Sequence, residues 1–170
     1  VVLVLVVNRF LLPNRREPQF RRNLQELFRL QSTYWAVIRR SLRQPVDPGL
    51  FSELLSQFHM VYHEAVQYAD RLPAEQAAYH RVRLVVLWNM FSELEQTEGL
   101  IQSGAVSTEE IPALDVLASQ LEVRISPPRE LESINSDALP RDELYYVINR
   151  YLENARTLSG QAPPPVPVAV

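Results

Sequence analysis

The chain has no cysteine and no lysine among its 170 residues, and only four glycines and three histidines. Without cysteine, disulfides, thiolate metal sites and cysteine nucleophiles are excluded. Four glycines leave few places for phosphate-cradling loops or tight hairpins, and no Walker motif, nucleophile elbow or dinucleotide fingerprint occurs. The missing lysine makes all 17 basic residues arginine. Arginine clamps carboxylates and phosphates bidentately where lysine cannot, but codon bias in a GC-rich genome explains the usage more economically, since Ala, Pro and Leu are also plentiful.

What is present favours helix. Leu, Gln, Glu, Ala and Arg dominate between the 13 prolines, and these are strong helix formers. A chain of this length fits one domain that buries about 70% of its unfolded surface without staples.

The sequence opens with seven apolar residues, Val1 to Val7, followed by Asn8-Arg9-Phe10-Leu11-Leu12-Pro13-Asn14-Arg15-Arg16. A membrane span needs roughly 20 apolar residues, and cytoplasmic flanks collect arginine close to the bilayer. The run is too short to cross but suits the clipped exit of a membrane helix. A buried strand or core helix is the competing reading, because valine is a better strand former than helix former in water. A secretory signal fits poorly, since the basic cluster follows the apolar run.

Charge is distributed unevenly. Residues 1 to 85 carry 12 Arg against 7 acids, and residues 86 to 170 carry 5 Arg against 13 acids. The bias is steepest in residues 9 to 43, with 9 Arg against Glu17 and Glu26. An anionic membrane surface attracts such a segment, and Arg9, Arg15, Arg16, Arg21 and Arg22 are the expected membrane-proximal anchors. Nucleic acid is not an expected partner: the arginines come in pairs that spread around a helix, the chain as a whole is acidic, and no reading motif occurs.

Apolar spacing predicts five helices. The first runs from Pro18 to about Arg43, with Phe20, Leu24, Leu27, Phe28, Leu30, Tyr34, Trp35 and Ile38 on a wide inner face. Asp47 and Pro48 read as the cap and first turn of the second. The third spans about Ala74 to Ser103, and its middle, Val82 to Phe91, is apolar nearly all round, so it is expected to be the most buried helix. Ser107 with Glu110 predicts a capping box at the start of the fourth. Residues 126 to 140 read as a loop with at most one helical turn, and a last helix runs from Arg141 to about Leu158. Short Pro and Gly breaks between helices predict an all-α, up-and-down bundle. The expected organisation is a truncated membrane-exit segment at 1–12, a helical bundle domain at 13–160 and a proline-rich linker at 161–170.

Chemistry-bearing constellations are few. His59 and His63 lie four apart on one helix face, with His80 on the next helix, and this is the only metal-like spacing in the chain. The zincin pattern would need a histidine where Gln67 stands, so ordinary surface histidines are the simpler reading. Acid pairs such as Glu93 with Glu98, or Asp142 with Glu143, lack any sign of the two environments that acid–base catalysis requires. Tyr34, Trp35, Phe58, Tyr62, Trp88 and Phe91 can line a planar-ligand pocket, but core packing explains their spacing as well. No catalytic residue and no cofactor is expected.

One resemblance is carried by residues. Val-Leu-Val-Leu-Val-Val-Asn-Arg-Phe-Leu-Leu-Pro, followed by Phe-Arg-Arg-Asn-Leu-Gln-Glu-Leu-Phe-Arg-Leu, resembles the junction after the first membrane bundle in fusaric-acid-resistance and aromatic-acid-exporter proteins of bacterial inner membranes. The likeness covers Val1 to about Arg43, and the remainder only as architecture. It implies a non-enzymatic helical domain on the cytoplasmic face of the inner membrane, part of an efflux transporter, partnered by other segments of the same protein and by further copies in a homo-oligomer. A second class of function stays open: a soluble helical module that docks an acidic partner through its basic first helix.

Overall fold

The computed structural model describes residues 13–160, with side chains from Pro18 onward. The expected membrane-exit segment 1–12 and linker 161–170, with Arg9, therefore lie outside the described residues, as do the side chains of Arg15 and Arg16. Five α-helices follow one another: α1 Pro13–Ser41, α2 Pro48–Ala69, α3 Ala74–Gln102, α4 Ile111–Arg124 and α5 Glu143–Gly160, with one 3-10 turn at Leu131–Ser133. The fold is all-α, as the apolar spacing predicts, and no strand occurs among the described residues.

The helix ends follow from local chemistry. Asp47 caps α2 by accepting the Gly49 N–H at 2.9 Å, and Pro48 occupies the first turn, where its missing N–H costs nothing. After α3, Gly104 takes the left-handed conformation (φ 73°), and Ala105 N–H reaches back to the Leu100 carbonyl at 3.0 Å. That pairing satisfies carbonyls that the helix end would orphan. Two starts differ from expectation. Helix α1 begins at Pro13 and carries Pro18 inside it; so close to the helix start, the lost bond to the Asn14 carbonyl is tolerated. At α4 only the glutamate half of the box is seen, with Ser107 N–H donating to Glu110 Oε2 at 2.7 Å, and the α-helix proper starts at Ile111.

Helix α1 is the centre of the bundle. It packs against α2, α3 and α4, and Phe20, Leu27, Leu30, Tyr34, Trp35 and Ile38 are buried along its length. Aromatic rings interlock beside it: Phe58 of α2 stacks on Phe91 of α3 at 3.8 Å, and Tyr34 meets Phe91 edge-on at 5.2 Å. The expectation that the middle of α3 is the most buried stretch is corrected. Val82, Val85 and Trp88 are 53%, 55% and 41% exposed, because α1, α2 and α5 cover only part of that helix. Uniform apolarity overstated its burial, since one face has no neighbour among the described residues.

Directions follow from cross-helix pairs. Phe20 meets His80 at 4.4 Å and Gln31 reaches the Leu87 carbonyl, so α1 and α3 run parallel. Ser32 pairs with the Glu122 carbonyl and Arg43 with Asp115, so α4 runs opposite to α1. Arg150 pairs with Gln96 and Asn154 with Glu93, so α5 runs opposite to α3. Between α4 and α5 the chain climbs back along the bundle, tied by Arg156 to the carbonyls of Leu131 and Ile134. Consequently the start of α1 and the end of α5 both point towards one pole.

Candidate functional site: the basic pole and its surroundings

That pole is built from the first turns of α1, the end of α2, the turn 70–73 and the first turns of α3. Arg21, Arg22 and Arg71 are exposed there. Arg81 is held by Asp70 at 2.8 Å across the α2–α3 turn. The opposite pole gathers Asp47, Glu109, Asp142 and Glu143 at the starts of α2, α4 and α5. The unevenness seen along the sequence thus becomes, in part, an axial polarity, with arginine at the α1 start and carboxylates at the far end.

Not every arginine of α1 is available. Arg39 lies 3.3 Å from Asp115 and 3.2 Å from Glu122, and Arg43 lies 2.7 Å from Asp115. The Arg43 guanidinium, with lesser help from Arg39, holds the Asp115 carboxyl below its ordinary range. Arg29 is engaged by Glu26 one turn earlier, and their contact lowers the Glu26 pKa. The cleft of about 340 Å³ beside Arg39, Arg40 and Arg43 also contains Glu122, so its charge is largely answered from α4. A docking helix that is basic along its whole length is not what the fold presents.

The three histidines are not brought together. His59 is exposed and stacks on Trp88 at 5.2 Å, His63 is exposed beside Gln67 at 3.1 Å, and His80 packs against Phe20. Among the described residues no group of three or more His, Cys, Asp or Glu is placed to hold a metal ion. The aromatic residues divide: Tyr34, Phe58 and Phe91 are buried against one another and Trp35 is buried against Tyr151, while Trp88 is part-exposed against Tyr62 and His59. Its assignment to the core is corrected accordingly.

Sequence reasoning missed one polar feature. Glu93, on α3, is 6% exposed and faces α5, where Asn154 Nδ2 donates to both its oxygens at 3.2 Å and Arg150 lies 3.7 Å away. Burial pushes its carboxyl pKa up against the pull of Asn154 and Arg150. Close by, the buried Tyr151 hydroxyl donates to Gln31 Oε1 at 2.7 Å, and Gln31 in turn donates to the Leu87 carbonyl at 3.4 Å. A polar cleft of about 450 Å³ opens over Glu93, lined by Asn89, Ser92, Gln96 and Glu153. Its carboxylate is occupied by structural partners, which suits helix registration better than proton transfer. Glu93 falls three residues after Met90 and six after Leu87, in the helical phase of the buried face, and that phase was the available signal.

Among the described residues, no helix is long and apolar enough to cross a membrane. Comparison with known proteins adds no relative: no family model, no curated protein and no solved structure matches the chain.

Proposed function

We propose that the chain is the cytoplasmic helical domain of a bacterial inner-membrane efflux-type transporter, acting in assembly or gating rather than catalysis. The observation that carries this reading is the coincidence at one pole. The start of α1 and the end of α5 point there, and Arg21, Arg22 and Arg71 are exposed there. In sequence the apolar residues Val1 to Val7 precede α1, and the resemblance of Val1 to Arg43 to the exporter junction supports the same reading. A headgroup layer of anionic lipid attracts arginine at the membrane edge, by about 1 kcal/mol per residue near the surface.

Vesicle sedimentation tests it. The chain is expected to sediment with vesicles containing phosphatidylglycerol, to ignore purely zwitterionic ones, and to be released by salt as screening shortens the field. Replacing Arg21 and Arg22 by Ala should weaken binding about 30-fold, whereas Arg40→Ala, at the opposite end of α1, should leave it unchanged. No association with anionic vesicles would leave the acidic-partner module as the better reading.

A further inference from the structure

We infer that the cleft between α1 and the segment following α4 is a seat for one phosphate anion, as an anionic lipid headgroup or free inorganic phosphate presents it, with Arg22 as the main donor. The cleft holds about 520 Å³, a volume ordinary for a small-ligand site. Arg22, Gln25, Glu26 and Arg29 form its α1 wall, spaced so that they share one helical strip. Ser126 and Pro127 stand opposite, and the buried Phe28 ring lies between the two walls.

The charges in the cleft are not equivalent. Arg29 gives two nitrogens to the two Glu26 oxygens, at 2.7 and 2.5 Å, and that contact holds the Glu26 carboxyl below its ordinary range, so it stays ionised. Among the described residues Arg22 has no carboxylate partner. One positive charge is therefore uncommitted. A helix end repels anions through its bare carbonyls, but at the end of α4 two of these are engaged: the Ser32 hydroxyl donates to the Glu122 carbonyl, and the Arg129 N–H to the Arg124 carbonyl at 2.9 Å.

Arginine grips phosphate oxygens through paired N–H bonds. Gln25 adds an amide donor from the same wall and Ser126 a hydroxyl from the facing one. Donors on two walls suit a tetrahedral anion, whose oxygens point several ways, better than a planar carboxylate that aligns with one fork. Phe28 and Pro127 leave apolar lining for the carbon skeleton of an alcohol esterified to the phosphate. Because α4 runs opposite to α1, its end arrives on the arginine side of the bundle. The lipid as source of the phosphate rests on the membrane reading above, whereas the phosphate site itself does not.

The test uses the full nitrogen-15-labelled chain at constant ionic strength, titrated with glycerophosphoglycerol (the phosphatidylglycerol headgroup freed of its acyl chains), with inorganic phosphate and with acetate. Saturable shifts are expected at the Arg22 Nε–H and at the backbone amides of Gln25 and Ser126. Arg22→Gln should weaken phosphate binding about tenfold, whereas Arg21→Gln, a neighbour outside the cleft lining, should leave it unchanged. Tighter binding of glycerophosphoglycerol than of inorganic phosphate would support the site with a lipid source, and equal binding would support it with free phosphate as the source. Acetate binding as tightly as phosphate, shifts that never saturate, or an unchanged response in Arg22→Gln would overturn the inference. Sedimentation with anionic vesicles without any response to glycerophosphoglycerol would overturn this site alone and leave the membrane-facing pole standing. Saturable phosphate binding without sedimentation would support the site and count against the membrane reading.

Discussion

Trp35 and Trp88 have similar apolar neighbours in sequence and different fates in the fold. Trp35 is fully buried and meets Tyr151 edge-on at 5.2 Å, whereas Trp88 is 41% exposed. Trp35→Ala should therefore cost about 3 to 5 kcal/mol by opening a cavity, and Trp88→Ala about 1 kcal/mol or less. Urea unfolding of the two variants checks this, and equal losses would contradict the packing described. Glu93 gives a pH-dependent prediction at the same scale. Because burial raises its folded-state pKa, the native state holds the proton more tightly than the unfolded chain. Its contribution is fully present below the unfolded carboxylate pKa and is lost as pH rises through the folded one. Glu93→Gln should thus raise the melting temperature relative to the parent at pH 8, with the gain shrinking towards pH 4. A loss that is largest at pH 8 would show instead that the Arg150 ion pair dominates.

Between elements, the most consequential contacts are the ion pairs joining α1 to α4. Asp115 sits between Arg39 and Arg43, and its pKa is lowered mainly by the Arg43 hydrogen bond. A depressed carboxylate stabilises above its unfolded pKa and loses that effect as pH falls through the folded one. Asp115→Asn should accordingly destabilise at pH 7, modestly for so accessible a pair, with the difference fading in acid and in high salt. A thermal-melt series over pH and salt decides it; a loss independent of both would point to packing. Helix existence was legible from apolar spacing, and Asp47-Pro48 and Gly104 marked boundaries correctly because capping is local chemistry. Pro18 misled because a proline reads equally well as a first residue or as one tolerated inside an early turn. The exposure of Val82 and Val85 was not legible, since apolar periodicity records capacity for burial and says nothing of whether a neighbour arrives.

At the scale of the molecule, antiparallel packing turns a chain-wise charge bias into a contrast between poles. Arg21 and Arg22 were legible as candidate anchors from sequence. The contribution of Arg71 was not, because only the α2–α3 turn brings residue 71 beside the start of α1. Neither was the internal use of Arg39 and Arg43, which requires α4 to lie alongside. The proposed orientation puts the arginine pole on the lipid and holds the carboxylates of Glu109, Asp142 and Glu143 away from it. The most direct measurement places an environment-sensitive fluorophore at either pole of the cysteine-free chain, through Ala74→Cys at the arginine end or Thr108→Cys at the carboxylate end. On addition of anionic vesicles, emission from the position-74 label should shift to the blue while the position-108 label stays unchanged. A shift at position 108 without one at position 74, or no shift at either, would contradict the membrane-facing pole.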